Sequence, residues 1–186
     1  MNFIEIEEKH KILIEIAKSK MNRVEDKEHD VNHINDVVKN IKQILDNIDT
    51  DVNKEACIIG AYWHDVGRTK IGVGHEKLSA TMLYEEMQKL NYDENFIDIC
   101  TKAIEFHKWN MTPTTVEGWV VKDADKLAWI GSGRWESCLK NNQRLDTILQ
   151  LLPNLRNDIL HFDYTRNMYD DEIIEIVKLL YKRIYD

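Results

Sequence analysis

Helix breakers are scarce in this 186-residue chain, which has two prolines (Pro113 and Pro153) and seven glycines. Long helical runs can therefore continue uninterrupted. Cysteine is also sparse. Cys57, Cys100 and Cys138 are odd in number, widely spaced and without a CxxC pair, which excludes a disulfide framework or a zinc ribbon and reads as reduced thiols. No apolar run approaches membrane-spanning length, and the opening MNFIEIEEKHK places acids inside its apolar stretch, unlike a signal peptide. The expected address is the cytoplasm. Positive charge is in deficit: 25 Lys and Arg against 33 Asp and Glu give a formal charge of -8, which argues against a nucleic-acid polymer or an anionic membrane as partner. A small anionic substrate stays compatible, because a bound metal and a few basic residues can invert the field locally.

What is present is helical periodicity on an ordinary globular composition, 43% apolar and 31% charged. The length suits one substantial core, so a single domain over 1–186 is expected. An amphipathic first helix is predicted over 2–19. A clean stripe (Ile34, Val37, Val38, Ile41, Ile44, Leu45, Ile48) predicts a helix over 31–48, with Asp30 or Asn32 as its cap. The stretch 54–65 is nearly all apolar, which predicts a short central helix buried on most sides. Glycines make 68–74 a loop. Further helices are predicted over 75–90, 93–108, 115–130, 135–152 and 170–185, the last with a stripe of Ile173, Val177, Leu180, Tyr181 and Ile184. The expected fold is all-α.

Several polar residues fall where apolar ones belong. His64-Asp65 closes the apolar run in GAYWHDVGR. Adjacent residues on a helix point about 100° apart, but at a fraying helix end both side chains can converge on one object. An imidazole nitrogen and a carboxylate oxygen together suit a divalent cation of intermediate hardness. His33 sits at the edge of its stripe. His107 lies on the face of Phe96, Ile99, Cys100, Ala103 and Ile104, and Asp125 shares a face with Val121, Ala124 and Ala128. An inward carboxylate without a partner is costly. A backbone amide or Arg134 would satisfy Asp125, but a single cation accounts for all these residues together. His75 opens its helix after the glycine loop, where it can turn back toward the pair. Asp123 reads as solvated or as supporting a ligand, with an exchange of roles with Asp125 left open. His10 and His161 read as surface or packing residues.

With these residues in place, the chain resembles the HD superfamily of metal-dependent phosphohydrolases, whose signature is a His, an HD pair and a distant Asp. The matching residues are His33 in HDVNHINDVV, His64-Asp65 in WHDVGR and Asp125 in VKDADKL, and the likeness covers about 28–135. It implies an HD-domain-like helical bundle with the site at its centre and additional C-terminal helices over about 135–186. His75 in GHEKLSA and His107 in EFHK stand where two-metal members carry extra histidines, so a second ion bridged through Asp65 is an expectation of the resemblance. The string HDVGR has no acid before Arg68 and looks like the HD-x-Gly-basic form of two-metal phosphodiesterase relatives. Arg68 is accordingly expected to clamp substrate phosphate. Lys70, Lys77, Lys108, Lys126 and Arg134 are further candidates for the mouth, and Glu76 for orienting a ligand or accepting a proton.

The resemblance implies hydrolysis of a phosphate ester or anhydride in a nucleotide-like small molecule by metal-activated water, with His64, Asp65 and Arg68 at the reaction. His and carboxylate ligation favours a transition ion such as Mn or Fe, then Co, Ni or Zn, over Mg. Two rival readings are a di-iron oxygenase built on the six-residue set and a metal-containing nucleotide-binding or regulatory module without turnover. Of Trp63, Trp109, Trp119, Trp129 and Trp135, most should fill the core, while one or two lining the site would stack on a base. Apolar residues on the terminal helices would support a homodimer.

Overall fold

Eight consecutive residues, Ala56 to Trp63, are buried, and they make the helix that carries them the centre of the molecule. The computed structural model describes residues 2–24, 29–131, 152 and 154–185. The described elements are α1 (Phe3–Lys9), α2 (Lys11–Met21), α3 (Val31–Asn47), α4 (Lys54–Trp63), a 3-10 turn (Val66–Thr69), α5 (His75–Lys89), α6 (Glu94–Glu105), α7 (Val116–Ile130), a π turn (Leu155–Ile159) and α8 (Asp163–Tyr185). No strand occurs among the described residues, and the fold is an all-α bundle. α4 packs against α2, α3, α6 and α7, while α3 lies along α7 and α5 along α6. An apolar helix with no polar face has nowhere else to go. Gly60 lets α4 approach its neighbours closely: a Cβ there would stand 2.8 Å from Val121 Cγ2 and 3.3 Å from Ile104 Cγ2.

The stripe of α3 is buried as its spacing predicts, from Ile34 to Leu45. Its cap is Asp30, whose carboxylate accepts from the backbone N–H groups of Asn32 (2.8 Å) and His33 (3.2 Å). That cap fixes the first turn of α3, and His33 with it.

Three boundaries differ from the sequence expectations. The helix expected over 2–19 breaks at His10, which ends α1 and opens α2. His10 is buried and bonded to the Glu55 carboxylate (Nε2–Oε2 2.7 Å) and to the Tyr92 hydroxyl (2.9 Å), so it anchors the break from within. The last helix begins at Asp163, seven residues before the expected start. Its buried residues include Thr165, Tyr169 and Ile176; of the expected stripe, Ile173 packs against the core while Val177 is 50% exposed. Leu180, Tyr181 and Ile184 lie outside the described side chains, and, apart from the buried Leu152, the helix expected over 135–152, with Trp135 and Cys138, falls outside the described residues, as does Arg134. The segment expected as loop over 68–74 begins within the 3-10 turn and ends at Gly74, whose φ of 81° supplies the left-handed entry to α5. No described helix is long and apolar enough to cross a membrane. Cys57 and Cys100 are buried free thiols, both pushed upward by burial.

Candidate metal centre

Regular α geometry ends at Trp63. His64 keeps helical dihedrals, but Asp65 (φ -106°, ψ 3°) turns out of the helix into the 3-10 turn. This departure lets two adjacent side chains reach one place, as a fraying end allows.

Two buried triads form there: His33, His64 and Asp125, then Asp65, His75 and His107. In the first, His33 Nε2 lies 3.2 Å from His64 Nε2 and 3.1 Å from Asp125 Oδ1, with His64 Nε2 3.8 Å from the same oxygen. In the second, Asp65 Oδ1 lies 3.0 Å from His75 Nε2 and 3.5 Å from His107 Nε2, and the two ring nitrogens are 3.3 Å apart. Asp65 joins the sets, because its other oxygen, Oδ2, lies 3.6 Å from His64 Nε2 and 3.9 Å from His33 Nε2. One carboxylate thus turns an oxygen toward each triad.

The backs of the imidazoles decide what the fronts can do. The Nδ1 atoms of His64, His75 and His107 sit 2.8, 2.8 and 2.6 Å from the carbonyl oxygens of Ala61, Gly72 and Ile104. A carbonyl can only accept, so each Nδ1 carries the proton and each Nε2 presents a lone pair in the neutral ring. His75 Nε2, His107 Nε2 and Asp65 Oδ1 are then three acceptors facing one another, and Asp65 Oδ1 is buried without a hydrogen-bond donor. Acceptors packed this closely repel unless positive charge lies among them. Each back-bonded histidine also has its ring plane fixed, the support that metal-ligating histidines commonly receive.

The ionisation pattern points the same way. Burial drives His64 down to about 3, so that ring does not hold a proton near neutrality. Burial alone would raise both carboxyls. The neighbouring His64, His107 and His75 nevertheless hold Asp65 well below the usual range, and Lys126, His33 and His64 do so for Asp125. Positive charge is therefore called for at a place where the buried His64 ring is a poor home for it. The residues present fit a divalent ion, with imidazole nitrogens and carboxylate oxygens as donors.

Around the triads stand two basic residues. Arg68 Nε lies 2.8 Å from Asp65 Oδ1 but without hydrogen-bond alignment, and its side chain remains 24% exposed. Lys126, buried, places Nζ 2.5 Å from Asp125 Oδ2, which leaves Oδ1 for the histidines. Glu76 is also buried, with Oε2 3.5 Å from His75 Nδ1. Lys70 and Lys77 are exposed and contact none of these groups in the structure, while Lys108 is half-buried.

All six residues singled out as metal candidates (His33, His64, Asp65, His75, His107 and Asp125) come together in space. The neighbour that sequence reasoning misread is Asp123. It is neither solvated nor part of the triads: fully buried, it accepts from the backbone N–H groups of His161 (2.9 Å) and Phe162 (3.1 Å) and from the Thr165 hydroxyl (2.6 Å). It therefore holds the start of α8 on α7, and burial pushes its carboxyl up to about 6. Asp125 meets Lys126 and His33, not a backbone amide. Of the packing histidines, His10 is buried and His161 is exposed with its ring stacked on Trp119. Gly67 is legible in the sequence only as part of HDVGR, and Ser79 not at all. A Cβ on Gly67 would stand 2.3 Å from the His75 carbonyl oxygen, and the Gly67 N–H donates to Ser79 Oγ (2.8 Å), so this glycine sets how closely α5 brings His75 to Asp65.

Comparisons with known proteins agree with this geometry. A family model described as HD domain matches residues 30–130, just over half the chain and every residue of both triads. Among solved structures, the chain resembles a predicted HD superfamily hydrolase from an uncultured Thermotogales bacterium, with a TM-score of 0.75 and 24% identity over 100% of this chain and 98% of that one. At that identity the likeness speaks for the fold. No curated protein sequence matches the chain.

Proposed function

The chain belongs to the HD domain family, and from that premise we propose that it is a metal-dependent phosphohydrolase, cleaving a phosphate ester or anhydride in a nucleotide-like small molecule. The observation that carries the reading is the pair of buried triads that share Asp65, with acceptor atoms facing acceptor atoms. His33, His64 and Asp125 would hold one ion. Asp65, His75 and His107 would hold a second, Asp65 lying between the two. Such an ion lowers the pKa of water toward neutrality and offsets charge growing on phosphoryl oxygens.

The chain's own residues supply orientation and charge. The carbonyls of Ala61, Gly72 and Ile104 keep three Nε2 lone pairs aimed inward. Lys126 holds the far oxygen of Asp125, so the near one keeps its direction. Arg68, touching Asp65 and still partly exposed, can turn its remaining N–H groups to phosphate oxygens arriving from solvent. Its guanidinium and the Lys126 ammonium give an acidic protein a locally positive entrance to the centre. The mixed donors favour Mn or Fe over Mg.

A phosphate- and pyrophosphate-release screen over nucleotides with Mn, Fe, Co, Ni, Zn and Mg tests this, with Asp65→Ala to expose contaminating phosphatases. Metal-dependent release that Asp65→Ala lacks is the expected result, and activity that survives exhaustive chelation refutes it. A second reading has one observation in its favour: six donors around a shared carboxylate equally suit a di-iron oxygenase. Oxygen uptake with a mixed-valent iron signal, and no phosphate release, would select it.

A further inference from the structure

Glu76 is a buried carboxylate to which the fold offers no hydrogen-bond donor. It stands in the first turn of α5, directly after His75, and is only 3% exposed. Its Oε2 atom is enclosed and accepts no hydrogen bond. Among the described residues, the charged or titratable group it meets is the back of His75, with Oε2 3.5 Å from Nδ1. The Nδ1 proton itself points to the Gly72 carbonyl at 2.8 Å. An enclosed carboxylate with neither a donor nor a cation destabilises a fold. The free N–H groups at the start of α5, where Gly74 brings no capping side chain, offset only part of that.

The charge around the two triads shows what such a group does. His33 and His64 have Asp125 to themselves and face one oxygen of Asp65. His75 and His107 face the other oxygen of Asp65 and have no second carboxylate in their triad. That oxygen is also pressed by the Arg68 guanidinium, 2.8 Å away. Counting Glu76 makes the halves alike. Each triad then has a carboxylate of its own, a share in Asp65 and one basic residue beside it, Lys126 for the first and Arg68 for the second. The imidazole of His75 carries the effect across. A carboxylate behind Nδ1–H draws on that proton and leaves more electron density on Nε2, the atom that faces the triad. Among the described residues, His64 and His107 have a carbonyl behind the ring and no carboxylate there.

We propose that Glu76 is a positioning residue for the second ion: acting through His75, it raises the affinity of the Asp65, His75 and His107 triad for a divalent cation, and it lowers the stability of the ion-free chain. The proposal rests on the two-ion reading given above. It makes two effects of opposite sign, which a carboxylate placed only for folding does not produce.

Glu76→Gln keeps the volume of the side chain and removes its charge. Calorimetry with Mn on chelator-stripped protein reads the affinity of each ion, and Co absorption spectra report how many positions are filled. In Glu76→Gln one ion should bind about 10–100-fold more weakly, the size of a lost supporting contact, while the other keeps its affinity. His107→Ala identifies the weakened ion, because adding Glu76→Gln to it should change nothing further. Thermal melts of the ion-free proteins should place Glu76→Gln level with the wild type or above it. Two ions bound by Glu76→Gln with unchanged affinity overturn the proposal. So does an ion-free Glu76→Gln that melts well below the wild type or fails to fold. A wild type that takes up one ion or none overturns the two-ion reading and this inference with it. The two failures are distinct, since the first is seen only in the variant and the second already in the wild type.

Discussion

Replacing Gly67 with alanine should separate the two triads. The backbone at Gly67 is not left-handed, so any objection to alanine there is steric. The added Cβ would stand 2.3 Å from the His75 carbonyl oxygen and 2.9 Å from both the N and Oγ atoms of Ser79, where contacts under 3.0 Å are essentially never found. Two of those atoms are backbone and cannot rotate away. The 3-10 turn and the first turn of α5 must therefore part by roughly 1 Å, a shift typical of overpacked cores. Metal–ligand distances tolerate only about 0.2 Å. His75 and Asp65 flank the displaced contact, so their triad loses its geometry. His33, His64 and Asp125 come from α3, the end of α4 and α7, and keep theirs. The variant should lose about 1–3 kcal/mol of stability, a drop of several degrees in melting temperature at about 2–4 °C per kcal/mol. Elemental analysis and calorimetry with Mn should show two ions per chain in the wild type and one in Gly67→Ala. Gly60→Ala is the control: its closest clash, 2.8 Å, is with the tip of Val121, so it should cost stability and keep both ions. Two ions bound to Gly67→Ala with unchanged affinity would refute the reasoning.

Lys126→Met removes the partner of Asp125 Oδ2 and should weaken binding of the ion held by His33, His64 and Asp125 by about 10–100-fold, as loss of a supporting contact commonly does; Lys126→Arg should recover part of it by calorimetry. Asp123→Ala strips three acceptor contacts from the start of α8. The net loss should be about 2 kcal/mol, since charge-assisted bonds disappear but a buried charge goes with them; denaturant titration reads it, and Asp123→Asn should cost less. Lys122 gives a pH signature. Burial and the nearby Lys126 lower its ammonium from 10.5 to about 8, so the unfolded chain holds that proton more tightly. Stability from this group is therefore constant below about pH 8 and increases between about 8 and 10.5. Lys122→Met should flatten that increase in urea midpoints measured across the window, and an identical pH dependence in variant and wild type would contradict the assignment.

Local pattern settled a good part of this molecule. The stripe from Ile34 to Leu45 and the apolar run from Ala56 to Trp63 are periodicities of one segment, and burial follows from them without reference to the rest of the chain. The Asp30 cap is equally local, its bonds spanning two and three residues. The HD signature picked out candidate residues that the fold brings together, because side-chain types at fixed places carry their chemistry with them.

Other features depended on residues far away in the chain. The break at His10 is held by Glu55 and Tyr92, 45 and 82 residues distant, and no helical pattern in 2–19 could announce them. Asp123 and Asp125 look alike in DAD, yet one faces the start of α8 and the other faces His33, because 100° per residue sends neighbours two apart to different sides of α7. Likewise, sequence could place Asp65 next to His64, but only the meeting of α3, α5, α6 and α7 around the end of α4 turns each of its oxygens toward a different set of imidazoles. Side-chain identity is written in the chain, whereas the direction in which a buried carboxylate points is fixed by whatever packs around it.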